Sequence, residues 1–188
     1  MGGGDKPLLL LAGRPILGSV LDRIRPQVTA LALSANGDPE RFRDWNLPVL
    51  ADPIEGRHGP LVGILAGMEW ASSTCPETES ILSVSADTPF LPRDLVQRLA
   101  EARGLSGAEI AVAASGGRVH PTVAIWPLAL AGDLRQALVS DGVRKVESFA
   151  RRYRLEIVEF GSTAGDPFFN INTPQDLLAA ERLVAGAG

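Results

Sequence analysis

The sequence has little of what stabilises small secreted domains or binds structural zinc. Its 188 residues include one cysteine, Cys75, and two histidines. One cysteine excludes an intrachain disulfide, and one cysteine with two histidines is too few for a structural zinc cluster. A chain of this length buries about 70% of its unfolded surface without such links. These features predict one domain, residues 1–188, in a reducing, cytoplasmic setting.

Long hydrophobic runs and a strong excess of one charge are also missing. The apolar stretch Leu8–Ala12 is too short for a signal peptide or a membrane span. Lys6 occupies the position at which an N-myristoylation signal has Ser or Thr. The formal charge is −4 and the basic residues are scattered, which disfavours nucleic acid and acidic membranes as partners. The predicted partner is a small molecule.

Several catalytic signatures are absent as well. The sequence has no GxxxxGK[ST], GxGxxG or G-x-S-x-G motif, which argues against P-loop, dinucleotide-binding and nucleophile-elbow chemistry. His58 and Cys75 lack partners in sequence and have little weight as catalysts. His120 stands before a proline and is predicted to be a turn residue with a satisfied hydrogen bond.

Apolar runs rich in Leu, Val and Ile alternate with longer helical patterns. This alternation is typical of βαβ units and predicts an α/β fold with a mostly parallel central sheet and helices on both faces. The tail, residues 184–188, is small and unpatterned, and we expect it to fray. The predicted strands are Ala30–Ser34, Val49–Leu50, Ile81–Ser85, Ile110–Ala114, Thr122–Ile125 and Leu155–Glu159. The predicted helices, several with proline in the first turn, are Pro15–Arg25, Pro39–Trp45, Pro60–Ser72, Pro92–Arg103, Leu128–Val139, Val143–Arg152 and Pro174–Ala185.

The stretch "ILSVSADTPFLP" places Asp87 directly after an apolar strand. The carboxyl ends of parallel strands face the ligand crevice of an α/β sheet, where a carboxylate can bind a hard cation. An Asp at this place can equally be a turn or N-cap residue. Sequence position alone leaves the two interpretations about even.

Four glycines, at 56, 59, 63 and 67, lie in "ADPIEGRHGPLVGILAGMEWA". The last three have helical spacing, which allows close approach of a helix to the sheet or to a ligand. Packing explains Gly67 adequately. Gly56 and Gly59 precede the helix and could present N–H groups to a nucleotide.

Asn170 and Asn172 lie two residues apart in "PFFNINTPQDLLAAERL". On an extended segment both amides point to the same side. Thr173, followed by Pro174 and Asp176, is a plausible helix N-cap. The cap leaves the asparagines unexplained, which favours a polar site.

The chain opens with "MGGGDKP", in which three glycines precede an Asp-Lys pair. Glycine can expose its backbone N–H groups to phosphate oxygens. Most glycine runs at a chain terminus are simply disordered. By itself this signal is weak.

The sequence resembles the MobA-type molybdenum cofactor guanylyltransferases. The resemblance is carried jointly by the stretches "MGGGDKPLLLLAGRPIL", "LSAN", "LADPIEGRHGPLVGILAGM", "SADTPFLP", "HP", "DGVRKV" and "FFNINTPQDL". The resemblance runs in order from Met1 to about Leu183. It implies a Rossmann-like nucleotidyltransferase that joins the GMP part of GTP to the phosphate of molybdopterin, with Mg²⁺, and releases pyrophosphate. It also implies transient contact with other molybdenum-cofactor proteins.

The resemblance implies a role for each matching residue. Lys6 would meet the GTP phosphates and Asp87 would bind magnesium, as the catalytic pair. The asparagine pair Asn170 and Asn172 would lie on the molybdopterin side. The guanosine half would be held by Asn36, Asp52, Gly59, Pro60 and Gly63.

One departure from the family lies at the start. Family members open with a hydrophobic strand and an L-A-G-G-x-x-x-R loop, and this sequence starts at the methionine inside that motif. Loss of a central strand would leave a gap roughly 10 Å wide in the sheet. This favours a mis-assigned start codon or a truncated chain. Gly2–Gly4 then correspond to the second half of a phosphate loop, and we expect them to be disordered.

Two alternatives follow from the same residues. A molybdopterin cytidylyltransferase or a sugar-phosphate nucleotidyltransferase would share the glycine loop and the Asp after a strand. A non-catalytic nucleotide-binding protein would follow if the shortened loop lacks competent geometry.

Overall fold

Alternating helical and extended segments follow the predicted order. The computed structural model describes residues 6–56, 59–161 and 165–186. The α-helices in these ranges are α1 (Ile16–Ile24), α2 (Pro60–Thr74), α3 (Leu95–Ser106), α4 (Ala131–Val139), α5 (Val146–Ala150) and α6 (Pro174–Gly186). Short 3₁₀ helices span Lys6–Leu8, Arg25–Gln27, Pro39–Trp45 and Leu128–Leu130. The strands are β1 (Leu10–Leu11), β2 (Arg14–Pro15), β3 (Leu33–Ser34), β4 (Val49–Leu50), β5 (Ser80–Ser83), β6 (Ile110–Ser115), β7 (Arg118–Pro127) and β8 (Leu155–Phe160).

Proline marks several of the helix starts, as its missing N–H predicts. Pro60 and Pro174 are the first residues of α2 and α6, and Pro15 directly precedes α1. Pro92 is the exception, because α3 begins three residues later, at Leu95.

The main sheet is mixed rather than mostly parallel. Within the described residues it has the strand order β5-β7-β6-β8. Strand β7 is antiparallel to both β5 and β6, whereas β6 and β8 are parallel. The predicted mostly parallel central sheet is therefore not confirmed. Strands β6 and β7 are antiparallel because Gly116 and Gly117 join them in a two-residue hairpin turn. The φ angles of these glycines are 55° and 76°.

Helices cover both faces of this sheet, as predicted. Ala111 and Ala113 of β6 belong to a core cluster with residues of α1, α3 and α6. Ile110 and Val112 alternate with them and belong to a second cluster with residues of α2, α4 and α5. Because alternate residues of a strand point to opposite faces, β6 is buried on both sides.

A separate parallel pair, β3 and β4, lies apart from the main sheet. A cavity of about 590 Å³ is lined by residues 30–34, by residues 80–86, and by side chains of α1 and α2. Among the described residues, β3 pairs with β4 alone and β5 pairs with β7 alone. The cavity thus lies between the β3–β4 pair and the β5 edge of the main sheet.

The carboxyl-terminal helix is longer than expected. The predicted fraying of residues 184–188 is wrong for residues 184–186, which belong to α6; residues 187 and 188 lie outside the described ranges. Extending a formed helix adds a hydrogen bond with each residue, and alanine favours it. The Leu183 side chain also packs against Gly165. Within the described ranges, every helix is too short or too polar to span a membrane.

Tyr153 gives a test of the packing around α4 and α5. Its hydroxyl donates a hydrogen bond of 3.0 Å to Asp133 Oδ2. Burial, together with this bond and the Asp133 charge, raises the pKa of Tyr153 to about 12. An unfolded tyrosine ionises near a pKa of about 10. Between about pH 10 and about pH 12, Tyr153 has lost its proton in the unfolded chain and keeps it in the folded chain. The contribution of Tyr153 to stability therefore falls as the pH rises.

We expect Asp133→Asn to lower the pKa of Tyr153, because it removes the charge and keeps an oxygen acceptor. Tyr153 is the only tyrosine, so absorbance titration of phenolate reports it alone. Asp44→Asn, at an exposed carboxyl, is the control and should leave the titration unchanged. Equal titration midpoints in the wild type and in Asp133→Asn would contradict the assigned contact.

Candidate active site

A lysine, an aspartate and the segment that carries Asn170 and Asn172 meet beyond the end of β5. Residues 166–172 are called the asparagine segment. Lys6 Nζ donates a hydrogen bond of 3.0 Å to Asn172 Oδ1. The backbone oxygen of Asp87 accepts one of 3.0 Å from the Ile171 N–H. The positive charge of Lys6 acts on the Asp87 carboxyl. Lys6, Asp87 and Asn172, which are distant in sequence, therefore lie together.

The two asparagines face a common pocket, as their spacing predicts. Asn170 Oδ1 accepts a hydrogen bond of 3.0 Å from the hydroxyl of Thr88, a residue that is fully buried. Asn170 and Asn172 both line a pocket of about 340 Å³, together with His120 and Asp166. The pocket is bounded by the hairpin strand β7 and by residues 166–176.

The predicted helix cap after the asparagines is confirmed. Thr173 Oγ1 accepts from the Asp176 N–H at 3.1 Å, and Asp176 Oδ2 accepts from the Thr173 N–H at 2.8 Å. Asp176 Oδ2 also accepts from the Asn172 N–H at 2.9 Å. Hydrogen bonds from the Asn172 N–H and from Thr173 hold the pKa of Asp176 below its usual range. This reciprocal cap fixes the backbone direction at Asn172.

Asp87 lies in a turn, as one of the two interpretations predicts. It is not the N-cap of a helix, because α3 begins at Leu95. Burial raises the pKa of the Asp87 carboxyl, against the opposing effects of its own backbone N–H and of Lys6. No group of three or more His, Cys, Asp or Glu side chains that could hold a metal occurs in the described part of the chain.

A second group of predicted residues lies at the ends of the parallel strands β3 and β4. Asn36 Nδ2 donates to Asp52 Oδ2 at 2.7 Å, and the Asp52 N–H donates to Asn36 Oδ1 at 2.9 Å. Parallel pairing of Leu33 with Val49 brings the two loops together. The Asn36 amide and the Asp52 carboxylate are thereby fixed against each other.

The predicted glycine segment borders this second group. Gly59 precedes α2 with a φ of 65°, followed by Pro60 at the first helical position. A side chain at Gly63 would come within 2.8 Å of Ser34 Oγ. Close packing therefore requires Gly63, and a ligand is not needed to explain it. Asp52, Gly59, Pro60 and Gly63 line the 590 Å³ cavity.

The structure thus sorts the predicted site residues into two groups. Lys6, Asp87, Asn170 and Asn172 form one, and Asn36, Asp52, Gly59, Pro60 and Gly63 form the other. No hydrogen bond joins the two groups within the ranges that the structure describes. The expected phosphate-loop residues Gly2–Gly4, and His58, lie outside those ranges.

The position of His120 and its hydrogen-bond partners differ from what the sequence predicts. His120 lies in β7 and is buried, so the predicted turn is wrong. Its expected hydrogen bond is present, between Nε2 and Ser115 Oγ at 2.8 Å. Asp166 accepts a further bond from Ser115 Oγ at 2.6 Å. The Gly116-Gly117 pair is the local signal that could have placed Ser115 and His120 on facing strands.

The family model of the MobA-like NTP transferase domain matches residues 1–156, most of the chain. The chain belongs to the MobA-like NTP transferase family. A relative in Rhodopseudomonas palustris (strain BisB5), a molybdenum cofactor guanylyltransferase, is 55% identical over 183 residues. That match covers 97% of this chain and 87% of the relative.

Solved structures agree with this family assignment at the level of the fold. The Archaeoglobus fulgidus molybdopterin-guanine dinucleotide biosynthesis protein A has a TM-score of 0.75 at 21% identity, covering 98% of this chain and 92% of that one. The manganese complex of a Mycobacterium tuberculosis H37Rv protein has a TM-score of 0.70 at 19% identity, covering 94% and 91%. The mixed sheet flanked by helices is thus a fold that this chain shares with them.

Proposed function

We propose that this member of the MobA-like NTP transferase family transfers GMP from GTP to the phosphate of molybdopterin, forming molybdopterin guanine dinucleotide and pyrophosphate. The observation that carries the proposal is the meeting of Lys6, Asp87 and the asparagine segment beyond β5. The guanylyltransferase relative at 55% identity supports the choice of substrates.

Lys6 would bind the phosphates of GTP. Two phosphate-bearing substrates repel each other, so the site must supply positive charge locally. A lysine about 4 Å from a phosphate oxygen contributes on the order of 4 kcal/mol at an effective dielectric constant near 20. Asn172 accepts one hydrogen bond from the Lys6 ammonium, which has two further hydrogens to donate to a phosphate.

Asp87 would bind a divalent cation, and we propose Mg²⁺. Asp87 is a half-buried carboxylate that belongs to no larger acidic metal-binding group among the described residues. It fits an ion that is commonly held by one or two carboxylates, substrate phosphates and water. When bound, Mg²⁺ would supply positive charge that offsets the negative charge of the phosphates.

Asn36 and Asp52 would hold the guanosine half, with Gly59, Pro60 and Gly63 beside it. The reciprocal hydrogen bonds fix one amide and one carboxylate in a defined orientation before any ligand binds. Preorganised polar groups of this kind favour one base over another, because a base with mismatched groups leaves them unpaired.

Asn170 and Asn172 would lie on the molybdopterin side. A phosphate oxygen of the acceptor would attack the α-phosphorus of GTP, and the bond from that phosphorus to the pyrophosphate oxygen would break. A phosphate monoester has its second pKa near 6, so near pH 7 its oxygen is largely ionised. No general base and no covalent enzyme intermediate are therefore required. Catalysis would consist of positioning and charge stabilisation.

We further propose that the chain acts in the cytoplasm and meets other molybdenum-cofactor proteins transiently. Its only cysteine, Cys75, is a free thiol in the structure. That state fits a reducing compartment.

Comparison of GTP with CTP tests the proposed substrate. We expect GTP to bind at least about tenfold more tightly than CTP in the presence of Mg²⁺, a difference of about 1.4 kcal/mol. Equilibrium titration with each nucleotide measures this ratio. Transfer of label from α-labelled GTP to molybdopterin then checks the reaction. A preference for CTP, or transfer to a sugar phosphate in place of molybdopterin, would contradict the proposal.

A further inference from the structure

A chain of polar side chains, two of them buried, connects the β6–β7 hairpin to the asparagine segment. Ser115 ends β6, His120 lies in β7, and Asp166 begins the segment that leads to Asn170. Ser115 is 4% exposed and His120 is 8% exposed. Ser115 Oγ lies 2.8 Å from His120 Nε2 and 2.6 Å from Asp166 Oδ1.

The chemistry of these groups determines the direction of both hydrogen bonds. A carboxylate only accepts, so the single hydroxyl hydrogen of Ser115 goes to Asp166. Ser115 Oγ must then accept from His120 Nε2–H. Burial is the main cause that lowers the pKa of His120, which favours the neutral ring. In that ring the Nε2 atom carries the proton that Ser115 Oγ accepts.

The order of contacts differs from that of a nucleophilic serine. In a Ser-His-Asp triad the carboxylate bonds the imidazole, which takes the serine proton. Here Asp166 accepts from the serine itself, and its carboxyl lies 3.9 Å from His120 Nε2. The arrangement orients Asp166 and does not activate Ser115.

Asp166 in turn fixes the start of the asparagine segment. Its Oδ1 also accepts from the Phe168 N–H at 2.9 Å, and its backbone oxygen accepts from the Phe169 N–H at 3.2 Å. The Phe168 ring packs against the His120 ring, with centroids 4.8 Å apart. The Ile171 N–H bonds to the Asp87 backbone oxygen. Asn170 is thus held between two anchors, one on the hairpin and one beside Asp87.

We propose that Ser115 and His120 are positioning residues for the acceptor substrate: through Asp166 they hold Asn170 and Asn172 facing the 340 Å³ pocket. This proposal rests on the function proposed above, because the acceptor is the ligand assigned to the two asparagines. Ser115 thereby affects acceptor affinity through Asp166, whereas His120 also lines the pocket.

Ser115→Ala tests the proposal, because it removes both hydrogen bonds. We expect KM for molybdopterin to rise about tenfold, the equivalent of about 1.4 kcal/mol, with kcat changed less and GTP affinity within about twofold of the wild type. Asp166→Ala should behave in the same way. Asp166→Asn keeps an oxygen acceptor for Ser115 and for the Phe168 N–H, so it should retain near wild-type KM.

The matched control is Ser83→Ala. Ser83 Oγ also has two hydrogen bonds, to the Thr122 backbone oxygen and from the Trp126 indole N–H, but neither leads to the asparagine segment. This variant should lose stability without a change in KM for molybdopterin. Equal KM values in Ser115→Ala and Ser83→Ala would reduce the role of Ser115 to stability and overturn the proposal.

Hydrogen exchange separates failure of this proposal from failure of the proposed function. We expect Ser115→Ala to speed amide exchange in residues 166–172 relative to Ser83→Ala, whether or not transfer is observed. A wild type that does not use molybdopterin would refute the acceptor and with it this role. Unchanged exchange in residues 166–172 would refute the anchoring itself.

Discussion

Replacing Asp87 by asparagine is expected to lower guanylyl transfer by about 100-fold or more, the scale of losing charge stabilisation by a metal. Asparagine keeps the shape of the side chain and removes the charge that would hold Mg²⁺. The fold should persist, because the hydrogen bond from Ile171 uses the backbone oxygen of Asp87. Pyrophosphate release measures the rate, and circular dichroism and thermal melting check the fold.

Asp94→Asn is the matched control for this prediction. Asp94 lies in the same connection between β5 and α3, is exposed, and makes no side-chain hydrogen bond to the start of α3. Wild-type turnover is expected for this variant. Transfer by Asp87→Asn at the rate of Asp94→Asn would eliminate the proposed role of Asp87.

Replacing Lys6 by alanine is expected to weaken GTP binding by about 10- to 100-fold, or about 1.4–2.7 kcal/mol. This is less than the full Coulomb energy at 4 Å, because Lys6 is partly exposed and water screens its charge. Guanosine affinity should change by less than about twofold, since guanosine carries no phosphate. Titrations with GTP, GMP and guanosine measure the dependence on phosphate.

Arg103→Ala removes the same charge at a distant place. Arg103 lies in the last turn of α3, and a helix that follows a strand runs back toward the opposite end of the sheet. This control should leave GTP affinity near the wild-type value, apart from a small effect on net charge. Equal losses for GTP and guanosine in Lys6→Ala would mean that Lys6 does not meet the phosphates.

Local rules predicted the features that depend on neighbouring residues. The spacing of Asn170 and Asn172 placed both side chains on one side, and Thr173 with Asp176 predicted the cap. In each case the residue pattern and the backbone geometry lead to the same result.

Long-range pairing was harder to predict. The hydrophobic pattern of β6 and β7 fits a parallel or an antiparallel arrangement, and the Gly116-Gly117 turn decides between them. Ser115 and Asp166 are separated by 51 residues, so no local pattern links them. Near the end of α6, Leu183 lies against Gly165, a contact that composition alone does not reveal.

The effect of Mg²⁺ on GTP binding by Asp87→Asn tests the account most directly, because the two conditions should give changes of opposite sign. Without divalent metal, in EDTA, Asp87 repels the triphosphate, and its replacement should tighten GTP binding. With Mg²⁺, Asp87 would hold the metal that the phosphates share, and the same replacement should weaken binding. A change of the same sign in both conditions would contradict a shared metal and phosphate site at Asp87.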